Sequence, residues 1–163
     1  MSKRKKTTET GSWEQELKDF FVGPLAEKAG SLLSERALIA IHVEERHFLF
    51  SRKKGENTIS EGESAEADVH FWVPLSTMRH LVSLAALPGT GMGTMGIAVI
   101  EHLFNVEEAR KIKFKVATGF LGLWAKGYFS VLKAGGPEVA SYLKRWGFDS
   151  LSRIKDVLRK IRG

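Results

Sequence analysis

Apolar positions recur at helical spacing from Trp13 onward: Trp13, Leu17, Phe20 and Phe21, then Leu25, Ala29, Leu32 and Leu33, as far as about Ser34. Ser12 can cap this helix, with Glu14 and Glu16 favourable in its first turn. Gly23-Pro24 should break or kink it. The period then changes from helical to two. Ile39, Ile41 and Val43 fall on one side of a strand, and Phe48 and Phe50 alternate in the next. Lys53 to Asn57 reads as a turn, and Asn57 to Glu61 as a weaker strand. Asp68 to Val73 alternates cleanly, with Val69, Phe71 and Val73 facing inward. Short turns between alternating strands predict an antiparallel meander.

The second half is mostly helical. A helix follows Pro74 through Met78, Leu81 and Leu84, with Ser76 as a candidate cap. The glycine-rich stretch from Pro88 to Gly96 reads as a flexible connection into a helix over 97–104. Lys111 to Val116 is the sharpest single signal in the chain. Ile112, Phe114 and Val116 lie on one side and three lysines on the other, so one face is buried and one is wet. Phe120, Leu123, Trp124, Gly127, Tyr128, Val131 and Leu132 predict one amphipathic helix ending at Gly135-Gly136. Pro137 opens a further helix carrying Val139, Leu143 and Trp146, stopped by Gly147. A last helix, capped by Asp149 or Ser150, sets Leu151, Ile154, Leu158 and Ile161 along one stripe. The fold class expected is α+β: a single domain with a mostly antiparallel sheet, one face of which packs on helices.

A chain of 163 residues allows one proper core and not two comfortable domains. No apolar run is long enough for a membrane span. Residues 1–12 bury nothing and read as a disordered basic tail; a polar stretch follows Lys3–Lys6, so no signal peptide is expected. With no cysteine there is neither a disulfide framework nor thiolate chemistry, which fits a cytoplasmic protein.

The formal net charge of +6 is unevenly placed. Residues 1–12 carry +3, from Lys3, Arg4, Lys5 and Lys6 against Glu9. Residues 151–163 carry +4, from Arg153, Lys155, Arg159, Lys160 and Arg162 against Asp156. That leaves −1 for everything between. Basic ends on a neutral body suit tails that touch an anionic surface, membrane or RNA alike, better than a groove tracking nucleic acid. On the terminal amphipathic helix, those five basic residues are the candidates for membrane contact.

Tests for chemistry come out thin. Gly91 to Gly96 satisfies G-x-G-x-x-G, but no strand precedes it and no carboxylate lies about twenty residues on, so a dinucleotide site is rejected. His42, His47, His70, His80 and His102 show neither H-x-H nor H-E-x-x-H spacing. His42 and His70 occupy the polar phase of their strands and read as surface histidines, so no metal is expected. Glu61, Glu63, Glu66 and Asp68 read as a charged loop rather than a catalytic pair. No catalytic residue and no cofactor is assigned. What stands out is an excess of large apolar residues on the helices, including Met78, Met92, Met95, Phe104, Phe120, Trp124 and Phe129, beside a sheet with one face to cover. Methionine and phenylalanine suit a deformable cavity wall.

From Leu38 to Leu84 the order of elements resembles the sterol-carrier-protein-like (lipid-transfer) family. The likeness is carried by Ile39–Val43, His47–Phe50, the Lys54-Gly55 turn, the step Ala67-Asp68-Val69 with its alternating continuation, and the helix near Ser76 with Leu81 and Leu84. The helix from Trp13 to Leu33 is also in place, so the resemblance covers roughly half of the chain. Departures come later: the family's glycines flanking the strand after Phe104 are missing until Gly119, and its carboxy-terminal strand is not obvious.

The resemblance implies non-catalytic binding or transfer of an apolar lipid (fatty acyl, sterol-like or quinone-like) in an internal cavity. It also suggests an accessory role such as bacterial relatives have in isoprenoid-quinone synthesis. The expected organisation is a basic tail at 1–12, a sterol-carrier-like domain at 13–149 and a basic amphipathic helix at 150–163. Expected cavity-lining residues are Phe71, Val73, Met78, Leu81, Met95, Ile100, Phe104, Phe114, Val116, Phe120 and Trp124. The competing reading is an interaction module that binds anionic membrane, or nucleic acid, through its basic ends.

Overall fold

The computed structural model describes residues 13–104 and 106–145; the tail at 1–12 and the predicted terminal helix at 150–163 lie outside these described residues. Helix α1 spans residues 13–22 and α2 Pro24–Gly30, with Gly23 as the predicted break. The strands are β1 (Leu38–Val43), β2 (Arg46–Lys53), β3 (Glu56–Glu61) and β4 (Val69–Trp72). Helices α3 (Leu75–Ala86) and α4 (Met92–Phe104) follow. After a 3-10 turn at Glu108–Arg110 come β5 (Lys113–Val116), α5 (Phe120–Ala125), α6 (Tyr128–Ala134) and α7 (Gly136–Arg145). The predicted α+β class holds: helices cover one face of a mostly antiparallel five-stranded sheet. Among the described residues no helix is long and apolar enough to cross a membrane.

The sheet order is β3-β2-β1-β4-β5. Its first three strands are the expected meander. A two-residue turn, Glu44-Glu45, joins β1 to β2; Lys54-Gly55 joins β2 to β3 with both residues at positive φ, as a type I′ turn requires. The meander expectation fails at β4. That strand does not continue beyond β3 but lies parallel to β1 on its free edge. The connecting segment leaves β3 over the solvent side of the sheet, where an added Cβ at Gly62 would rest 3.7 Å from Leu49. Asp68 then anchors the new strand. Its amide donates to the Leu38 carbonyl (2.8 Å), and its carboxylate accepts from the Leu38 amide (2.9 Å).

Register puts the apolar phases of all five strands on one face. Ile39 faces Phe50 and Val69; Ile41 faces Phe48 and Phe71; Ile59 backs Phe50; Phe114 and Val116 oppose Phe71 and Val69. Over β1 and β2, α1 contributes Trp13 and Leu17 and α3 contributes Met78, with the Trp13 ring edge-on to Phe48 at 6.2 Å. Over β4 and β5, Leu123 and Phe129 close on Val69 and Val116. Burying each such side chain stabilises the fold by about 1.5–3 kcal/mol.

Two helical expectations need correction. The glycine-rich stretch is not a connection but mostly the first turns of α4, starting at Met92. Two of its four glycines are contact surfaces: an added Cβ at Gly96 would come within 2.8 Å of Val139 in α7, and one at Gly93 within 3.0 Å of the Gly135 carbonyl oxygen. Close helix approach explains Gly93 and Gly96, while Gly89 and Gly91 precede α4 with open space around them. The single helix predicted over 120–132 is two, broken at Lys126-Gly127, where Gly127 adopts a φ of 91° under the Leu32 backbone.

An ionic knot built on the buried Arg52 and Asn57 and the partly exposed Glu27 fastens α2 to the β2–β3 hairpin. Arg52 pairs with Glu27 and donates to the Asn57 side-chain oxygen (2.7 Å) and the Gly55 carbonyl (2.7 Å), while Glu27 accepts from the Asn57 amide (3.0 Å). Hydrogen bonds from Arg52, then from the Asn57 amide, hold the Glu27 carboxyl below its ordinary value of 4.5. A depressed carboxyl stabilises the fold above its unfolded pKa and loses that contribution as pH falls through its folded one. Glu27→Gln is therefore expected to lower the urea midpoint at pH 7, and the gap from wild type should narrow in acid. A gap unchanged at pH 3 would refute this role.

Candidate functional site

The candidate apolar site lies on the helix-covered side of the sheet, and the expected lining residues divide along it. Val73 and Met78 belong to the core over β1 and β2, together with Trp13 and Phe48. Phe71, Phe114 and Val116 belong to the core over β4 and β5. Met95 and Ile100 are buried on α4, and Leu81 is half-buried on α3. Phe120 opens α5. Trp124 is 56 % exposed on the same helix, beside Leu121 at 77 %.

At the β4–β5 end three rings meet. Phe71 and Phe114 are cross-strand partners with centroids 6.3 Å apart, and Phe104, from the end of α4, stands edge-on to Phe114 at 6.3 Å. All three are only partly buried, although the two strand residues point to the helix side of the sheet. Phe71 and Phe114 pack against the cluster of Val69, Val116, Leu123 and Phe129 while part of each ring stays exposed. The five predicted membrane-contact residues, Arg153, Lys155, Arg159, Lys160 and Arg162, lie outside the described residues.

Beneath this end sits a polar hub that the sequence presented as part of a charged loop. Asp68 is 2 % exposed. Its carboxylate accepts from the Lys126 ammonium (2.6 Å), the Tyr128 hydroxyl (2.9 Å) and the Leu38 amide (2.9 Å). Burial, then the hydrogen bond to Asp68, pushes the Tyr128 hydroxyl pKa far up, so it stays a donor. All of its visible partners are the chain's own. Asp68 joins β1, β4 and the α5–α6 break, a structural role, and the charged-loop expectation is corrected for this residue.

The opposite face holds the feature that sequence reasoning missed. His42 and His47 are directly paired across the β1–β2 turn, with their Nδ1 atoms 2.6 Å apart. His42 Nε2 lies 3.1 Å from His70 Nδ1 on β4. The Trp72 ring stacks on His42 at 5.0 Å, and Glu63 reaches within 3.7 Å of His47. His42 is 8 % exposed and not the surface residue expected, because its neighbours on both flanking strands close over it. Burial, then the adjacent His47 and His70, hold its pKa below the ordinary 6.5. Part of this cluster was visible in the chain: a two-residue turn at Glu44-Glu45 places residues 42 and 47 opposite one another. His70 joins only through the parallel pairing of β4. His102, by contrast, is buried in α4 with Nδ1 2.8 Å from the Ala98 carbonyl oxygen.

Comparison with protein-family models, with curated proteins and with solved structures finds no match for this chain.

Proposed function

We propose that the protein binds or carries an apolar lipid chain against the helix side of its sheet, and does not transform it. The observation that carries this reading is the partly buried trio Phe71, Phe104 and Phe114, with α5 presenting Leu121 and Trp124 to solvent. Each methylene of an acyl chain moved from water onto such a surface contributes about 0.8 kcal/mol before the costs of association. Useful affinity then needs no specific polar partner. A fatty acyl, sterol-like or quinone-like chain fits these demands, as does the resemblance to sterol-carrier-like domains. On this reading the protein works in the cytoplasm, and the charge of its basic ends favours contact with an anionic membrane during exchange.

Lipid extraction of the purified full chain followed by mass spectrometry tests the reading, together with titration of a fluorescent fatty acid. The expected result is saturable binding that Phe104→Asp weakens at least tenfold, since a carboxylate set among the rings costs more than 1.4 kcal/mol. A protein that carries no lipid and ignores the probe sinks the proposal.

A further inference from the structure

The solvent face of the sheet carries a second cluster, independent of the apolar site on the other side. One imidazole each from β1 and β2 and a carboxylate from the segment after β3 converge there. Their ligand atoms, from His42, His47 and Glu63, all lie within 4.8 Å of one another. We propose that this trio binds a divalent transition-metal ion of the zinc type, with His70 as the residue that orients His42.

The hydrogen-bond pattern around His42 supports the division of roles. With its proton on Nε2, the His42 ring donates to His70 Nδ1 across 3.1 Å and turns the lone pair of Nδ1 toward His47. Metal-bound histidines characteristically give their second ring N–H to such a partner, which fixes tautomer and ring plane. The two facing Nδ1 atoms are 2.6 Å apart, a contact that requires a proton on one of them. A metal ion takes the place of that proton.

At ordinary zinc–nitrogen distances of about 2.0–2.1 Å in a tetrahedron, the two nitrogens must part to roughly 3.3 Å. His47 is free to make that shift, because its side chain is 38 % exposed and Glu63's is 70 % exposed. His42 need not move. Trp72, stacked on its ring at 5.0 Å and 18°, and His70, parallel to it at 5.4 Å, hold it from the other side. Two imidazoles and one carboxylate leave the outward position for water, the donor set of zinc sites with an exchangeable ligand. Imidazole and carboxylate donors without thiolate also suit nickel, copper or ferrous iron, so the class of ion is set by the ligands and its identity by supply.

Isothermal titration of the metal-free full chain with zinc chloride tests the proposal. The expected result is one zinc per chain, with affinity at least tenfold weaker in His47→Gln and in Glu63→Gln. His70→Asn, which keeps a short polar side chain but alters the hydrogen bond, should weaken binding about tenfold. His80→Gln, on α3, should leave the isotherm unchanged. His47 and Glu63 are exposed enough that their variants should unfold at the wild-type denaturant concentration, which the same samples can report. No saturable binding, or equal binding by wild type and the folded His47→Gln protein, overturns the site.

Discussion

Replacing Asp68 with alanine is expected to destabilise the protein by about 3–5 kcal/mol, the cost of removing one partner from a buried charge pair. For a chain of this size that corresponds to a melting temperature lower by roughly 6–20 °C. Asp68 is 2 % exposed and accepts from the Lys126 ammonium, the Tyr128 hydroxyl and the Leu38 amide. Alanine strands all three donors and leaves the Lys126 ammonium without its carboxylate partner. Lys126→Met should cost less, because the lysine side chain is 23 % exposed and its removal still leaves Asp68 two donors. Tyr128→Phe should cost about 1 kcal/mol, one neutral donor lost. Urea unfolding of the three variants checks this order. An Asp68→Ala protein that unfolds at the wild-type midpoint would mean the hub is ornamental and β4 is placed by apolar contacts alone.

What could be read in the chain divides along that hub. The hairpins β1–β2–β3 and the β5 strand were legible because their cues are local: alternation of apolar and polar residues, a two-residue turn, Lys54-Gly55, and lysines set against Phe114 and Val116. The position of β4 was not legible. Its alternation says which face it turns inward but not which strand it joins. Its place beside β1 shows only in contacts distant along the chain, since Asp68 bonds Leu38 of β1 thirty residues back and Lys126 and Tyr128 some sixty residues on. The glycine-rich stretch misled for a related reason. Composition alone suggests a loop at Gly91 to Gly96, whereas the demand for glycine at 93 and 96 comes from Gly135 and Val139, some forty residues on.

The sites follow the same rule. The apolar phase of the sheet announced Phe71, Phe114 and Val116, and register brought them together. That Phe71 and Phe114 stay half-wet depends on how far α4 and α5 extend over the sheet's end, which no local pattern states. For the histidines, the polar phase correctly put them off the apolar core. It could not show that three strands would bring His47, His42 and His70 side by side on the other face. A residue's phase in a strand gives its face, while its neighbours on that face come from strand order.

Gly127→Ala provides the second large effect, about 3 kcal/mol or more, because two separate costs fall on one residue. The first is conformational. At a φ of 91° a residue with a Cβ is disfavoured by about 1–2 kcal/mol. The second is steric, since the new Cβ would overlap the Leu32 carbonyl oxygen and lie 3.1 Å from its carbon and 3.2 Å from Leu33 Cα. Those are backbone atoms and cannot rotate aside. The neighbouring chain is also pinned there, with the Ser34 amide donating to the Lys126 carbonyl at 2.9 Å. Overpacking of this kind adds typically 1–3 kcal/mol. Gly55→Ala isolates the first cost, because Gly55 has a φ of 79° in the β2–β3 turn and nothing within 4 Å of its would-be Cβ. Denaturant midpoints should therefore fall modestly for Gly55→Ala and much further for Gly127→Ala. Equal losses would show that the α5–α6 break can swing away from Leu32, and that the close approach under α2's end does not constrain the fold.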